Sequence, residues 1–153
     1  MRARTFSLLL ALLLLPSLGL GAQLTGNVVR IVDGDTLVVL DADKTQTKVR
    51  LAGIDCPERG QPWGSRAREA LAGYTFAKQV TVEWDKLDRY GRTVGTVIAD
   101  SRNVNLALVR DGMCRWYRKY ADEQSPTDRV LFEAAETQAR KERGRGCGPT
   151  RIR

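Results

Sequence analysis

Polar and apolar positions alternate along five short stretches of the chain. Thr25 to Val32 places every second side chain on one face, as a half-buried strand requires. Asp33-Gly34 follows, a dipeptide suited to a hairpin turn, and Thr36 to Leu40 continues as a second strand. Asp41 to Lys44 is a polar turn, and Gln46 to Ile54 reads as a third strand ending near Gly53. Val80 to Trp84 and Thr93 to Ile98 supply two more. Three segments repeat with helical period. Ser65 to Ala77 puts Ala67, Ala70, Leu71 and Tyr74 on one face and Arg66, Arg68 and Glu69 outside. Asn103 to Arg110 predicts a short helix, capped by Asn103 and stopped by Gly112. A last helix starts at Thr127 or Asp128. Its inner stripe is Leu131, Ala134, Ala135, Gln138 and Ala139, and Arg140, Lys141 and Arg143 suit the dipole near its end.

Five strands with close turns, and a helix after the third, predict an α+β fold with a mainly β core. The architecture expected is a five-stranded OB-fold barrel with three helices. Such barrels commonly bind oligonucleotides, yet a fold alone does not give function.

The ends read differently. Arg2 and Arg4 precede an apolar run from Phe6 to Leu15, and small residues follow at Gly19, Gly21 and Ala22. This pattern predicts a secretory signal peptide over 1–22, a domain over 23–146 and a basic tail over 147–153. The expected location is secreted or periplasmic. An uncleaved signal would be the only membrane contact, and a monomer with no stable protein partner is expected.

Lys and Arg number 25 against 18 Asp and Glu, a formal net charge of +7. That balance suits a polyanion: nucleic acid, an anionic polysaccharide or a membrane surface. The chain has no histidine, and its three cysteines, Cys56, Cys114 and Cys147, form no C-x-x-C pair, which argues against a zinc site. Export permits a disulfide, and one bridge leaves one cysteine over.

Two stretches concentrate the chemistry. Asp33-Gly34-Asp35-Thr36 and Arg50 to Glu58 gather four carboxylates and an arginine. Oxygen ligands without nitrogen ligands point to Ca²⁺ or Mg²⁺, and an adjacent arginine suits a phosphate. Asp33 reads as turn chemistry, which is also the plainer reading of Asp35. Arg50 is either a surface arginine or, with a twist at Gly53, a partner of Asp55. Glu58 is either a solvated turn residue or a base beside a water. In Asp88-Arg89-Tyr90-Gly91-Arg92, Gly91 marks a turn, and Arg92 offers a second phosphate clamp.

With Val104 to Gly112, these motifs resemble the staphylococcal-nuclease-like (thermonuclease) family over roughly Thr25 to Arg143. The resemblance implies Ca²⁺-dependent cleavage of DNA and RNA to 3′-phosphate ends. It implies Asp35, Asp55 and the backbone carbonyl of Cys56 as Ca²⁺ ligands. It implies Arg50 and Arg92 on the scissile phosphate and Glu58 activating water. Tyr90 and Tyr120 resemble the family's nucleotide-pocket tyrosines. Arg89 stands where a lysine is found and Arg118 where a tyrosine is found, so both are expected at the substrate. The loop after Glu58 is shorter than in the best-known member. The resemblance also brings Cys114 near Cys147, implying a disulfide between them with Cys56 free. A non-catalytic OB module that binds nucleic acid or another polyanion is the alternative.

Overall fold

The computed structural model describes residues 21–145. Strand β1 (Ala22–Asp33) turns at Gly34-Asp35 into β2 (Thr36–Leu40), which leads to β3 (Gln46–Leu51). After β4 (Ile54–Asp55) and helix α1 (Gly64–Thr75) come β5 (Gln79–Leu87) and β6 (Thr93–Ala99). Strand β7 (Arg102–Asn103), helix α2 (Val104–Arg110), β8 (Arg115–Trp116), a 3₁₀ segment (Arg118–Glu123) and α3 (Pro126–Arg145) complete the order.

Antiparallel pairing joins β3 to β2, β2 to β1, β1 to β5 and β5 to β6. Parallel pairing of Val49, Arg50 and Leu51 with Thr93, Val94 and Gly95 then closes the ring between β3 and β6. The expected five-stranded OB-type barrel with helices is therefore present. Closure leaves none of these five strands as an open edge. The interior is filled by alternate aliphatic residues, including Leu37, Val39, Val49, Leu51, Val82 and Val97.

The strand predicted over Gln46 to Ile54 divides. Gly53 has φ +70°, and a Cβ there would meet Gln124 Nε2 at 2.2 Å. The chain bends at this residue, and Ile54 and Asp55 pair with Trp116 and Arg115 in a separate two-stranded ribbon. Both strands are too short to show an alternating pattern.

Helix α2 is capped as expected, with Asn103 Oδ1 accepting from Leu106 N at 3.0 Å. Gly112, at φ +68°, ends it, and Gly112 N and Met113 N donate back to Val109 O and Leu108 O. Asn105 is buried: its Oδ1 accepts from Val97 N at 3.0 Å, and its Nδ2 donates to Ala52 O at 2.9 Å. One side chain thus fastens α2 to the barrel mouth. Helix α3 starts earlier than predicted, with Ser125 Oγ accepting from Asp128 N at 3.0 Å. Its inner stripe is also shifted. Phe132, Ala135, Glu136 and Ala139 are buried, while Leu131 is 46% exposed and Ala134 and Gln138 face outward. Phe132 begins an i, i+3, i+4, i+7 set that includes the acid Glu136, which a count of apolar residues alone passes over.

Candidate active site

The turn between β1 and β2 carries Asp35. Asp33 Oδ1 accepts from Asp35 N at 3.2 Å, which shapes the turn, and Thr36 Oγ1 donates to Asp35 Oδ1 at 2.9 Å. Register places Thr36 opposite Arg50 on β3. Arg50 Nη1 lies 2.5 Å from Asp35 Oδ2, and its Nη2 donates to Ile54 O at 3.3 Å. The approach of Nη1 is an ion pair without hydrogen-bond alignment, so this buried nitrogen has no hydrogen-bond partner among the described residues. Burial raises the Asp35 pKa from 3.8 to about 6; the Arg50 charge opposes that rise without cancelling it. A buried carboxylate in this condition gains from added positive charge.

Asp55 stands in β4 directly after Ile54. Its Oδ2 accepts from Arg115 Nη2 at 2.7 Å, across the pairing of β4 with β8. The next residue, Cys56, is bonded to Cys114. This overturns the expected Cys114–Cys147 bridge and the free Cys56. The two-stranded ribbon brings residues 56 and 114 together, a contact between positions 58 apart that no local pattern reveals. Cys147 lies outside the described residues. Cys56 Sγ is 3.2 Å from Gly34 O, a packing contact because a disulfide sulfur carries no proton. The segments bearing Asp35 and Asp55 therefore abut. Glu58 is exposed just beyond. Its N–H donates to Gln61 Oε1 and its carbonyl accepts from Gln61 N, both at 3.0 Å.

The hairpin between β5 and β6 carries Arg92. Gly91, at φ +74°, makes the turn. Asp88 Oδ1 accepts from Tyr90 N and Arg92 N at 2.9 and 3.0 Å, and its Oδ2 accepts from Arg92 Nε at 2.7 Å. Partial burial raises the Asp88 pKa, but these hydrogen bonds outweigh it and hold the carboxyl below its ordinary value. Arg92 is thereby fixed at the head of β6. The guanidiniums of Arg89 and Arg92 lie 4.9 and 5.5 Å from the Tyr90 ring centre.

Beside this hairpin runs a cleft of about 930 Å³. Arg50, Arg89, Tyr90, Arg92 and Tyr120 line it, as do Lys86, Tyr117 and Lys119, which lie outside the sequence motifs. The alternation of basic and aromatic residues over Arg115 to Tyr120 was the available signal. Asp35, Asp55 and Glu58 are not in this lining; Arg50 connects them to it, touching Asp35 and Ile54 from the cleft wall. Arg118 does not line the cleft either. It pairs with the buried Glu136 at 2.6 Å and stacks 4.3 Å from the Trp116 ring centre.

The family profile described as staphylococcal nuclease homologue matches residues 48–145. The chain belongs to the staphylococcal nuclease family. It is 43% identical to a micrococcal nuclease of Shigella flexneri, over 87% of this chain and 79% of that protein. It is 39% identical to an uncharacterized endonuclease of Escherichia coli O157:H7, over 78% of this chain and 76% of that one. It is 33% identical to a thermonuclease of Staphylococcus intermedius, over 74% and 70%. Within this nuclease-family barrel, a divalent cation is tested by the donors present. Among the described residues no three Asp, Glu, His or Cys side chains gather into a cage. Two carboxylates on abutting segments, one of them buried and under-neutralised, with no histidine in the chain, fit a hard cation that prefers oxygen ligands.

Proposed function

We propose that the protein is an exported nuclease that hydrolyses phosphodiester bonds of DNA and RNA at the 5′-oxygen, leaves 3′-phosphate ends and depends on Ca²⁺. The observation that carries this is Arg50, whose Nη1 is buried beside Asp35 without a hydrogen-bond partner among the described residues and which lines a cleft that Arg92 also lines. The Arg50 guanidinium suits a phosphate oxygen, and two guanidiniums suit the two non-bridging oxygens of a diester.

Asp35, Asp55 and the Cys56 carbonyl hold the cation. When bound, Ca²⁺ supplies positive charge at the phosphate oxygen. Arg50 and Arg92 neutralise the charge that grows on the equatorial oxygens during in-line attack. Glu58 takes the proton of the attacking water; it stands exposed three residues after Asp55. Arg89, Tyr90 and Tyr120 bind the flanking nucleotide by charge and stacking. Export rests on the basic and apolar pattern of residues 1–22, and a disulfide is in keeping with an oxidising compartment.

The test is digestion of single-stranded DNA and RNA with Ca²⁺, with Mg²⁺ or with EDTA, followed by end-group analysis. Ca²⁺-dependent release of 3′-phosphate ends is expected. Cleavage unaffected by EDTA removes the cation from the reaction, and binding without cleavage returns the protein to a non-catalytic polyanion binder.

A further inference from the structure

Two consecutive residues of β4 and its exit are tied to two consecutive residues of β8 and its entry. Asp55 is ion-paired with Arg115, and Cys56 is disulfide-bonded to Cys114. The ribbon carrying these links is only two residues long on each side. Beyond it, Tyr117 N donates to Gly53 O at 2.9 Å. The covalent link and the ion pair thus add to the ribbon pairing, the Tyr117–Gly53 bond and the buried Ile54 in holding the β4 segment in place. The same segment touches the turn that bears Asp35. Cys56 Sγ contacts Gly34 O, and a Cβ added at Gly34 would meet Cys56 Cβ at 2.9 Å. Cys114 is itself anchored, its N–H donating to Leu108 O at the end of α2.

We propose that Arg115 and the Cys56–Cys114 disulfide form a redox-sensitive clamp that positions Asp55 and the Cys56 carbonyl for a divalent cation. The clamp rests on the cation-dependent reading of this site. Arg115 takes Oδ2 of Asp55, which leaves Oδ1 to face a cation. It acts as a positioning residue, not a catalytic one. The disulfide fixes the β4 exit to Cys114, and its Cys56 sulfur packs against the Gly34-Asp35 turn. Both cysteines are buried, so a dithiol reductant opens the link by thiol–disulfide exchange when the short ribbon parts. One thiolate of the reductant attacks a protein sulfur, and the other protein sulfur leaves as thiolate. The second thiol of the reductant then resolves the mixed disulfide and closes the oxidised ring. Two protein thiols result, and the two electrons come from the dithiol. With the link open, Asp55 and the Cys56 carbonyl lose their register against Asp35. In a reducing compartment the enzyme is then silenced by weak cation binding, and it is switched on by oxidation.

The experiment uses the full chain and two readouts. Ca²⁺ binding is titrated by calorimetry without substrate, and cleavage of single-stranded DNA is followed across Ca²⁺ concentrations. Oxidised protein is compared with protein reduced by dithiothreitol, with thiols counted by iodoacetamide mass shift and folding checked by circular dichroism. Positioning partners around a metal commonly set its affinity by 10- to 100-fold, so reduction is expected to weaken Ca²⁺ binding by about tenfold or more. The Ca²⁺ concentration for half-maximal cleavage should rise in parallel, with cleavage largely recovered at saturating Ca²⁺. Arg115→Ala in oxidised protein should show the same split, and Arg115→Lys should restore part of the affinity. Equal Ca²⁺ affinity before and after reduction in folded protein overturns the proposal. If reduction unfolds the chain, unaltered Ca²⁺ affinity in Arg115→Ala overturns it instead. Oxidised protein that binds Ca²⁺ but cleaves nothing sinks the nuclease reading and leaves the clamp standing.

Discussion

Replacing Asp35 by Asn should change how stability depends on pH, by an amount and a sign that the site dictates. Burial lifts the folded-state pKa of Asp35 from 3.8 to about 6 against the pull of Arg50. The folded protein therefore holds a proton that the unfolded chain has already released throughout that window. Where the native state binds more protons, stability falls as pH rises. Below the unfolded pKa both states are protonated, and above the folded pKa both are ionised, so the change is confined between them. Moving a pKa by one pH unit is worth about 1.36 kcal/mol, which makes the total loss roughly 2–4 kcal/mol. Asn imitates the protonated acid and does not titrate. Its effect on packing and on Arg50 is a constant offset, so the stability of Asp35→Asn minus that of the parent should climb by roughly 2–4 kcal/mol between about pH 4 and pH 6.5 and then level off. Urea unfolding followed by tryptophan fluorescence in EDTA, at five or six pH values, measures it. A difference that stays flat, or that declines with rising pH, refutes the assignment of Asp35 as a buried acid kept ionised at a cost. The same variant should lose cleavage, because the stability it gains comes from removing the charge that the proposed cation requires.

Asp88→Ala should lower kcat for DNA cleavage by about 10- to 100-fold with little change in the circular dichroism spectrum, since Asp88 aligns Arg92 through Nε and the turn main chain; unchanged kcat would show that Arg92 needs no such support. Asn105→Ala should destabilise the protein by roughly 2–4 kcal/mol, because Val97 N and Ala52 O lose their buried partner; a loss under about 0.5 kcal/mol in chemical denaturation contradicts that, being the range of substitutions that touch nothing buried. Phe132→Ala should cost about 3–5 kcal/mol and Leu131→Ala under about 1 kcal/mol, a contrast set by burial at one position and 46% exposure at the next. Reversal of that order in thermal unfolding would restore the stripe read from apolar residues alone.

The barrel strands were legible because each is half-buried and alternates, as in β6, where Thr93, Gly95, Val97 and Ala99 are buried in turn. The ribbon of β4 with β8 was not, because two residues carry no period and their pairing is settled by the distant packing of α2. That gap explains the wrong disulfide: Cys56 and Cys114 flank the ribbon, so missing it removed the reason to join them. It also hid Arg115, whose importance appears only once it stands opposite Asp55. Arg50 and Asp35 were legible as chemistry but not as a pair, since their meeting depends on the register that sets Thr36 against Arg50. The α3 stripe slipped because Glu136 is buried by ion pairs with Arg118 and Arg140, which hydrophobic periodicity does not count.

The parallel pairing of β3 with β6 also governs the order in which the chain acquires its shape. The β1–β2–β3 meander needs only near neighbours and can assemble early, but ring closure joins Val49 to Thr93 and must wait for both. Contacts that distant slow folding, because the intervening chain loses its freedom before the contact is made. A chain interrupted before Thr93 has β3 and β5 as unpaired flanks and is prone to self-association. The closed barrel forms only after the second half of the sequence has arrived.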